Sequence, residues 1–283
     1  MRLRCRAPCK LQLLCLLAAP ITCCAKSRAK GKWSPISLKA VDSDLCTITR
    51  LPASEVSPER FQAEFRGQKP LIMQGMSLSE GWGLHKAWEK RALLSKYGQR
   101  SVAVRKDDSG AERQRQNNGM GGSKQVTLAE YIESVFDSSP VPGGAKLESL
   151  GDINYQFDRT FLKNEAPEMK RDFITPPHFA NMTLGSWQDP LFYLGPRGSG
   201  VGFHRHGEAW NVIAHGRKRW FLYPPEWRGY LLGVNPDTAL DGLGWFRQFY
   251  PRVVGTQFTP MECVQVGYQH SYSTHHMFCM VSL

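Results

Sequence analysis

The rhythm of hydrophobic and polar positions changes near residue 190: before it, short strand-like stretches alternate with helix signals, and after it strands and turns dominate. Cys46-Thr47-Ile48-Thr49-Arg50-Leu51 alternates as an edge strand does, because successive side chains on a strand take opposite faces. Ser57 followed by Pro58 supplies an N-cap and a first-turn proline, which predicts a helix through Phe65. Gly67 to Gly75 reads as a turn leading into a short buried strand. A helix is expected around Trp88 to Tyr97 with Gly98 as its C′ residue, and a strand at Ser101-Val102-Ala103-Val104. Thr127-Leu128-Ala129-Glu130 has capping-box spacing and predicts a helix through Phe136. Residues 106–125 and 137–150, rich in polar residues, glycine or proline, read as a loop and a linker. Asp172 to Pro177, with Phe179, reads as an extended approach to the strand-rich part. Strands follow at Val212-Ile213-Ala214, Arg219 to Tyr223 and Glu262 to Val266. The pattern is mainly β with flanking helices, an α+β class.

A different pattern opens the chain. Basic residues precede an apolar run from Leu11 to Cys24, and the small residue Ala25 ends it. Residues 1–25 therefore read as a secretory signal peptide, too short for the ~20 apolar residues of a transmembrane span. A short membrane anchor is the alternative. Residues 26–43 are basic and apolar-poor and read as a disordered spacer. The expected location is the endoplasmic reticulum lumen and secretory pathway, with no membrane span once the signal is removed.

Charge and cysteines fit that picture. Over 283 residues the formal net charge is +11, but Lys and Arg crowd the first 32 residues; elsewhere Arg217-Lys218-Arg219 is the one tight cluster. A nucleic-acid partner is therefore not expected. Of eight cysteines, Cys5, Cys9, Cys15, Cys23 and Cys24 lie in the leader, leaving Cys46, Cys263 and Cys279. A disulfide between Cys46 and Cys263 suits an oxidising compartment and would close a very long loop, worth roughly 4–5 kcal/mol in the chain-entropy treatment. Two buried free thiols are the alternative. Asn181-Met182-Thr183 is a glycosylation sequon in a translocated chain, so Asn181 is the candidate glycan site.

The candidate chemistry centres on His204 and His206. Residues two apart on a strand share a face, so the two imidazoles can converge on one metal ion. Tyr193-Leu194-Gly195-Pro196-Arg197-Gly198-Ser199-Gly200 precedes this pair, and Gly216-Arg217-Lys218-Arg219-Trp220-Phe221-Leu222-Tyr223-Pro224-Pro225 follows. With Lys69-Pro70-Leu71-Ile72 and Gly75, these motifs resemble the JmjC family from about residue 45 to Val266. The resemblance implies a cupin-like double-stranded β-helix that uses Fe(II) and 2-oxoglutarate. Within the family it favours a lumenal form with His-x-His in place of His-x-Asp/Glu and cysteines matching Cys46 and Cys263.

The resemblance assigns roles residue by residue. His204 matches the first iron ligand, and His206 stands where a carboxylate is expected; both are candidate metal residues. Lys218 matches the lysine that pairs with 2-oxoglutarate, and Asn211 an asparagine that touches it, so these are the candidate cofactor residues. Glu208 is the nearby carboxylate that a continuing strand would bring to the same face. After Gly267 the resemblance stops, and the tail, residues 268–283, is unlike the family. His276 falls near the place of the second iron-binding histidine, but in foreign surroundings. The C-terminal strands are therefore expected to be missing or replaced. The resulting division is residues 44–190 as the helical and strand part, 191–267 as the barrel core and 268–283 as an atypical tail.

The functional expectation is a lumenal JmjC-fold pseudoenzyme, non-catalytic or catalytically impaired, acting through protein partners. The alternative is an Fe(II)/2-oxoglutarate-dependent protein hydroxylase with an unusual ligand set of His204, His206 and a tail histidine.

Overall fold

The computed structural model describes residues 33, 45–76, 81–106, 124–133, 154–158, 160–179, 190–195, 200–205, 208–224, 242–267, 269–273 and 278–282. The alternating segments form strands as their period demands. β1 (Thr49–Pro52) and β2 (Leu71–Gln74) pair in parallel, and β2 pairs in turn with β11 (Gln269–Ser273), which pairs with β8 (Ala209–Val212). A second sheet runs β10 (Met261–Val266), β9 (Arg217–Tyr223), β12 (Phe278–Ser282) and β7 (Gly200–Arg205). A third holds β4 (Lys124–Thr127), β3 (Ser101–Lys106), β5 (Asn154–Asp158) and β6 (Phe192–Leu194).

Period-two alternation sorts the apolar residues into layers. On β2, Leu71 and Met73 pack with Phe61 and Phe65 at the helix α1 (Pro58–Glu64), while Ile72 turns to the other side and joins Ile48, Trp220, Leu222 and Cys263. On β9, Trp220 and Leu222 take that inner side. Phe221 instead meets Trp245 and Phe246 of α5 (Gly242–Gln248), and Tyr250 of α6 (Tyr250–Val253). The two sheets thus face each other across one apolar cluster, with helices on their outer sides. Strands buried on both faces read as continuous hydrophobic runs, as Leu71-Ile72-Met73 does.

Local signals set the helix ends. Ser57 accepts from the Arg60 amide at 3.1 Å and starts α1 at Pro58. Thr127 and Glu130 form the reciprocal capping box that opens α4 (Leu128–Tyr131), and the expected extension to Phe136 passes outside the described residues after Glu133. α2 (Leu84–Ala87) and α3 (Lys90–Tyr97) occupy the segment around Trp88. Gly98 ends α3 with a helical φ of −53°, not the left-handed conformation expected of a C′ glycine. A Cβ there would stand 2.4 Å from the Leu94 carbonyl oxygen, so close approach accounts for the glycine. In the approach before the barrel Asp172 ends a 3-10 helix, Phe173 is extended, and a 3-10 turn follows at Pro177–Phe179. Trp33 lies in the segment read as a spacer, yet it is half-buried and its indole N–H donates to the Trp88 carbonyl at 3.0 Å. The chain is anchored at that point.

Of the two expectations for the C-terminal strands, missing or replaced, the tail meets the second. The sheets do not lack its strands: β11 and β12 come from residues 269–273 and 278–282, and each lies inside a sheet with a partner on both sides. A strand's main-chain bonds do not depend on side-chain identity, so a segment as polar as Gln269 to Ser273 can still fill an interior position. The Cys46–Cys263 disulfide joins the approach to β1 to β10, an edge strand of the facing sheet.

Candidate functional site

The inner face of the second sheet is built by β9, whose basic triplet splits across the strand. Arg217 is exposed, Lys218 shares the inner face with Trp220, and Arg219 is buried on the outer face. Lys218 Nζ lies 4.3 Å from the centre of the Trp220 ring and 5.6 Å from that of Tyr193 on β6. A cation over an aromatic face is held by the ring quadrupole. Gln265 on β10 stands opposite Lys218 and is fully buried. Its side-chain oxygen accepts from the Trp220 indole at 2.7 Å, and its amide donates to the Asn211 carbonyl on β8 at 3.4 Å. The Asn211 side-chain oxygen is itself buried with no hydrogen-bond partner among the described residues. Lys218 and Asn211, both assigned by the family resemblance, are thus linked through Trp220 and Gln265 across the two sheets. Tyr193 and Gln265 were not singled out. Their signal was available in the alternation of β10 and in the tyrosine opening the glycine-rich run.

His204 lies on β7, and register fixes its face. Cys279 of β12 is its cross-strand partner, Leu222 of β9 is the next in that row and Met261 of β10 the last. Directly opposed residues of an antiparallel pair share a face, so His204 occupies the face on which Leu222 meets Ile72. Phe203, one residue earlier, packs on Tyr223 and Trp245 on the outer side, as alternation requires. The third cysteine, left over by the disulfide, therefore sits in register beside the first candidate ligand. His206, His276 and Asn181 lie outside the described residues.

Glu208 does not supply a free carboxylate to this face. β7 stops at Arg205, and Glu208 stands in a bend before β8, almost fully buried. Both of its oxygens are taken by one guanidinium: Arg66 Nε donates at 3.0 Å and Nη2 at 3.2 Å. A forked pair of this kind is among the stronger side-chain interactions and fixes orientation as well as charge. Arg66, just beyond α1, also donates to Gln62 at 3.0 Å. Among the described residues no group of three or more His, Cys, Asp or Glu side chains could hold a metal ion.

Two other histidines join α2 to the turn between β8 and β9. His215 Nε2 lies 2.9 Å from the His85 carbonyl oxygen, and the His85 ring hydrogen-bonds the Ala214 main chain in return. Burial holds both imidazoles below the ordinary histidine pKa, and their proximity lowers His85 further. Gly216, with φ +87°, closes that turn and delivers Lys218 to β9.

Two facing sheets whose inner surfaces carry a lysine, an asparagine and a histidine-bearing strand are the frame of a cupin-like protein. The sequence matches the cupin-like domain over residues 58–272, and the chain belongs to this cupin-like JmjC family. It is 25% identical over 264 residues to JmjC domain-containing protein 8 of Mus musculus, covering 91% of this chain and 87% of that one. It is 27% identical over 242 residues to the bifunctional arginine demethylase and lysyl-hydroxylase psr-1 of Caenorhabditis briggsae, covering 77% and 54%. It is 26% identical over 209 residues to a 2-oxoglutarate and iron-dependent oxygenase of Gallus gallus, covering 66% and 46%.

Proposed function

We propose that this chain is a lumenal cupin-like protein that acts by binding other proteins and does not turn over 2-oxoglutarate. The observation that carries the reading is the Glu208–Arg66 pair. A two-histidine, one-carboxylate centre needs an anionic oxygen beside His204. His206 occupies the expected position, and the next carboxylate along the chain is buried with both oxygens engaged. Arg66 is half-buried and Glu208 almost fully buried, so withdrawing Glu208 would break a forked, charge-assisted pair that fixes the carboxylate's orientation. The lumenal location is supported by the leader-like first 25 residues, the Asn181 sequon and the disulfide.

A second reading, a protein hydroxylase with an unusual ligand set, is favoured by Lys218 and Asn211. Lys218 offers an anion its cation, and the buried Asn211 side-chain oxygen, which has no partner among the described residues, offers an acceptor to a hydroxyl or a water beside it. If bound, 2-oxoglutarate would supply the oxidisable cosubstrate, and Lys218 would pair with its carboxylate. Release of CO₂ from 2-oxoglutarate with added Fe(II) separates the readings. The binding protein is expected to give the same background rate for wild type and His204→Ala. Turnover abolished by His204→Ala would overturn it, and stoichiometric iron in the isolated protein would favour the hydroxylase.

A further inference from the structure

The disulfide is asymmetric. Cys263 is wholly buried among Trp220, Leu222, Ile48 and Ile72, whereas Cys46 is only half-buried and precedes the first strand. Arg50 of β1 reaches the buried end: its Nη2 donates to Cys263 Sγ at 2.8 Å and to the Val264 carbonyl at 2.8 Å. A guanidinium contributes little beside a neutral disulfide and much beside a thiolate, since hydrogen bonds to ionised acceptors are about twice as strong as neutral ones. Burial by itself would make Cys263 a poor leaving group; a cation in contact with the sulfur reverses that preference.

The geometry points to the Cys46–Cys263 bridge as a thiol–disulfide exchange site, opened by an external dithiol that attacks Cys46 and expels Cys263 as a thiolate held by Arg50. The dithiol's first sulfur, having given its proton to water, bonds to Cys46 Sγ. The Cys46–Cys263 bond breaks and its electron pair goes to Cys263 Sγ. The second thiol then attacks its own partner sulfur in the mixed disulfide, releasing Cys46, which takes up that thiol's proton. The protein gains two electrons, the dithiol becomes a disulfide, and Cys263 stays ionised.

Opening the bridge need not separate the strands it joins. The Thr47 amide donates to the Glu262 carbonyl at 2.8 Å, and the Glu262 amide to Thr47 Oγ1 at 2.8 Å. Glu262 is itself held from the outer side by Arg219 and Tyr250. These contacts keep Cys46 and Cys263 in register for reoxidation, so the exchange is reversible. This inference is independent of whether the protein turns over 2-oxoglutarate.

The test is equilibration of the full chain in glutathione redox buffers at neutral pH, followed by acid quenching, alkylation and peptide mass mapping of Cys46 and Cys263. In one buffer, the reduced-to-oxidised ratio is expected to be at least tenfold higher for wild type than for Arg50→Met, about a 30 mV shift for a two-electron couple. Arg50→Lys should stay within threefold of wild type. Arg50→Gln, a second neutral variant checked for folding by circular dichroism, should follow Arg50→Met. The trapped mixed disulfide is expected on Cys46. Equal ratios in wild type and a folded neutral variant, or glutathione found on Cys263, would overturn the assignment.

Discussion

Arg219 illustrates how much one side chain can organise. It is buried on the outer face of β9, where its Nε donates to Glu262 at 3.1 Å and its Nη2 to the Tyr250 hydroxyl at 3.1 Å. Tyr250 donates to the other Glu262 oxygen at 2.6 Å, and the rings of Phe221, Phe246 and Tyr250 lie 4.9–5.2 Å from the guanidinium carbon. Burial and the neighbouring carboxylate push the Tyr250 phenol up to about 12, so it stays a donor throughout the physiological range. Removing one partner of such a network strands the other charge in the interior. Arg219→Met is therefore expected to lower unfolding stability by about 3–5 kcal/mol in urea denaturation. The double variant Arg219→Met/Glu262→Leu should be less destabilised than the single one. Equal losses would mean that lost packing, rather than the stranded carboxylate, sets the cost. The basic triplet was visible in the sequence, and strand alternation implied that Lys218 and Arg219 part company. Which of them meets an acid depended on a partner 43 positions away, beyond any local pattern.

At the scale of elements, local chemistry was read well and long-range partners were not. Ser57-Pro58 and Thr127 to Glu130 announce their helices because a cap is satisfied within four residues. The fate of Glu208 hinged on Arg66, 142 positions earlier, so a candidate ligand in sequence became half of a structural clamp. The clasp between α2 and the β8–β9 turn is of the same kind and makes stability depend on pH. Burial lowers the folded pKa of both His85 and His215 below the model-peptide value of about 6.5. Glu89 faces His215 and partly offsets the shift, while His215 faces His85 and adds to it. Groups with depressed folded pKa values bind more protons when unfolded, so their contribution is complete above about pH 6.5 and falls as pH drops through the folded values. The urea midpoint of wild type is expected to fall between pH 7 and 5 by more than that of His85→Asn/His215→Asn. Parallel curves for the two proteins would remove the clasp from the pH dependence.

At the scale of the molecule, two of the three sheets, the pair that face each other, are completed by the tail strands β11 and β12. The motifs from Tyr193 to Pro225 made the cupin frame legible, because glycines, a histidine pair and an alternating strand constrain backbone and chemistry together. The tail was illegible for the opposite reason. Gln269-His270-Ser271-Tyr272-Ser273 is too polar to read as a core strand, and its place is set by main-chain pairing with β2 and β8. Phe278 to Ser282 likewise finds its register only between β7 and β9. Both strands are interior ones, so deleting them would expose four rows of main-chain donors and acceptors, on β2, β8, β7 and β9. Unpaired edges of that length invite association with other chains, and each backbone group left buried without a partner costs about 1–3 kcal/mol. A chain ending at Gly267 is therefore expected to elute as aggregate in size-exclusion chromatography and to lose the near-ultraviolet circular dichroism of its packed aromatic residues. A monomeric truncated chain with wild-type near-ultraviolet signal and cooperative unfolding would show that the sheets hold without β11 and β12.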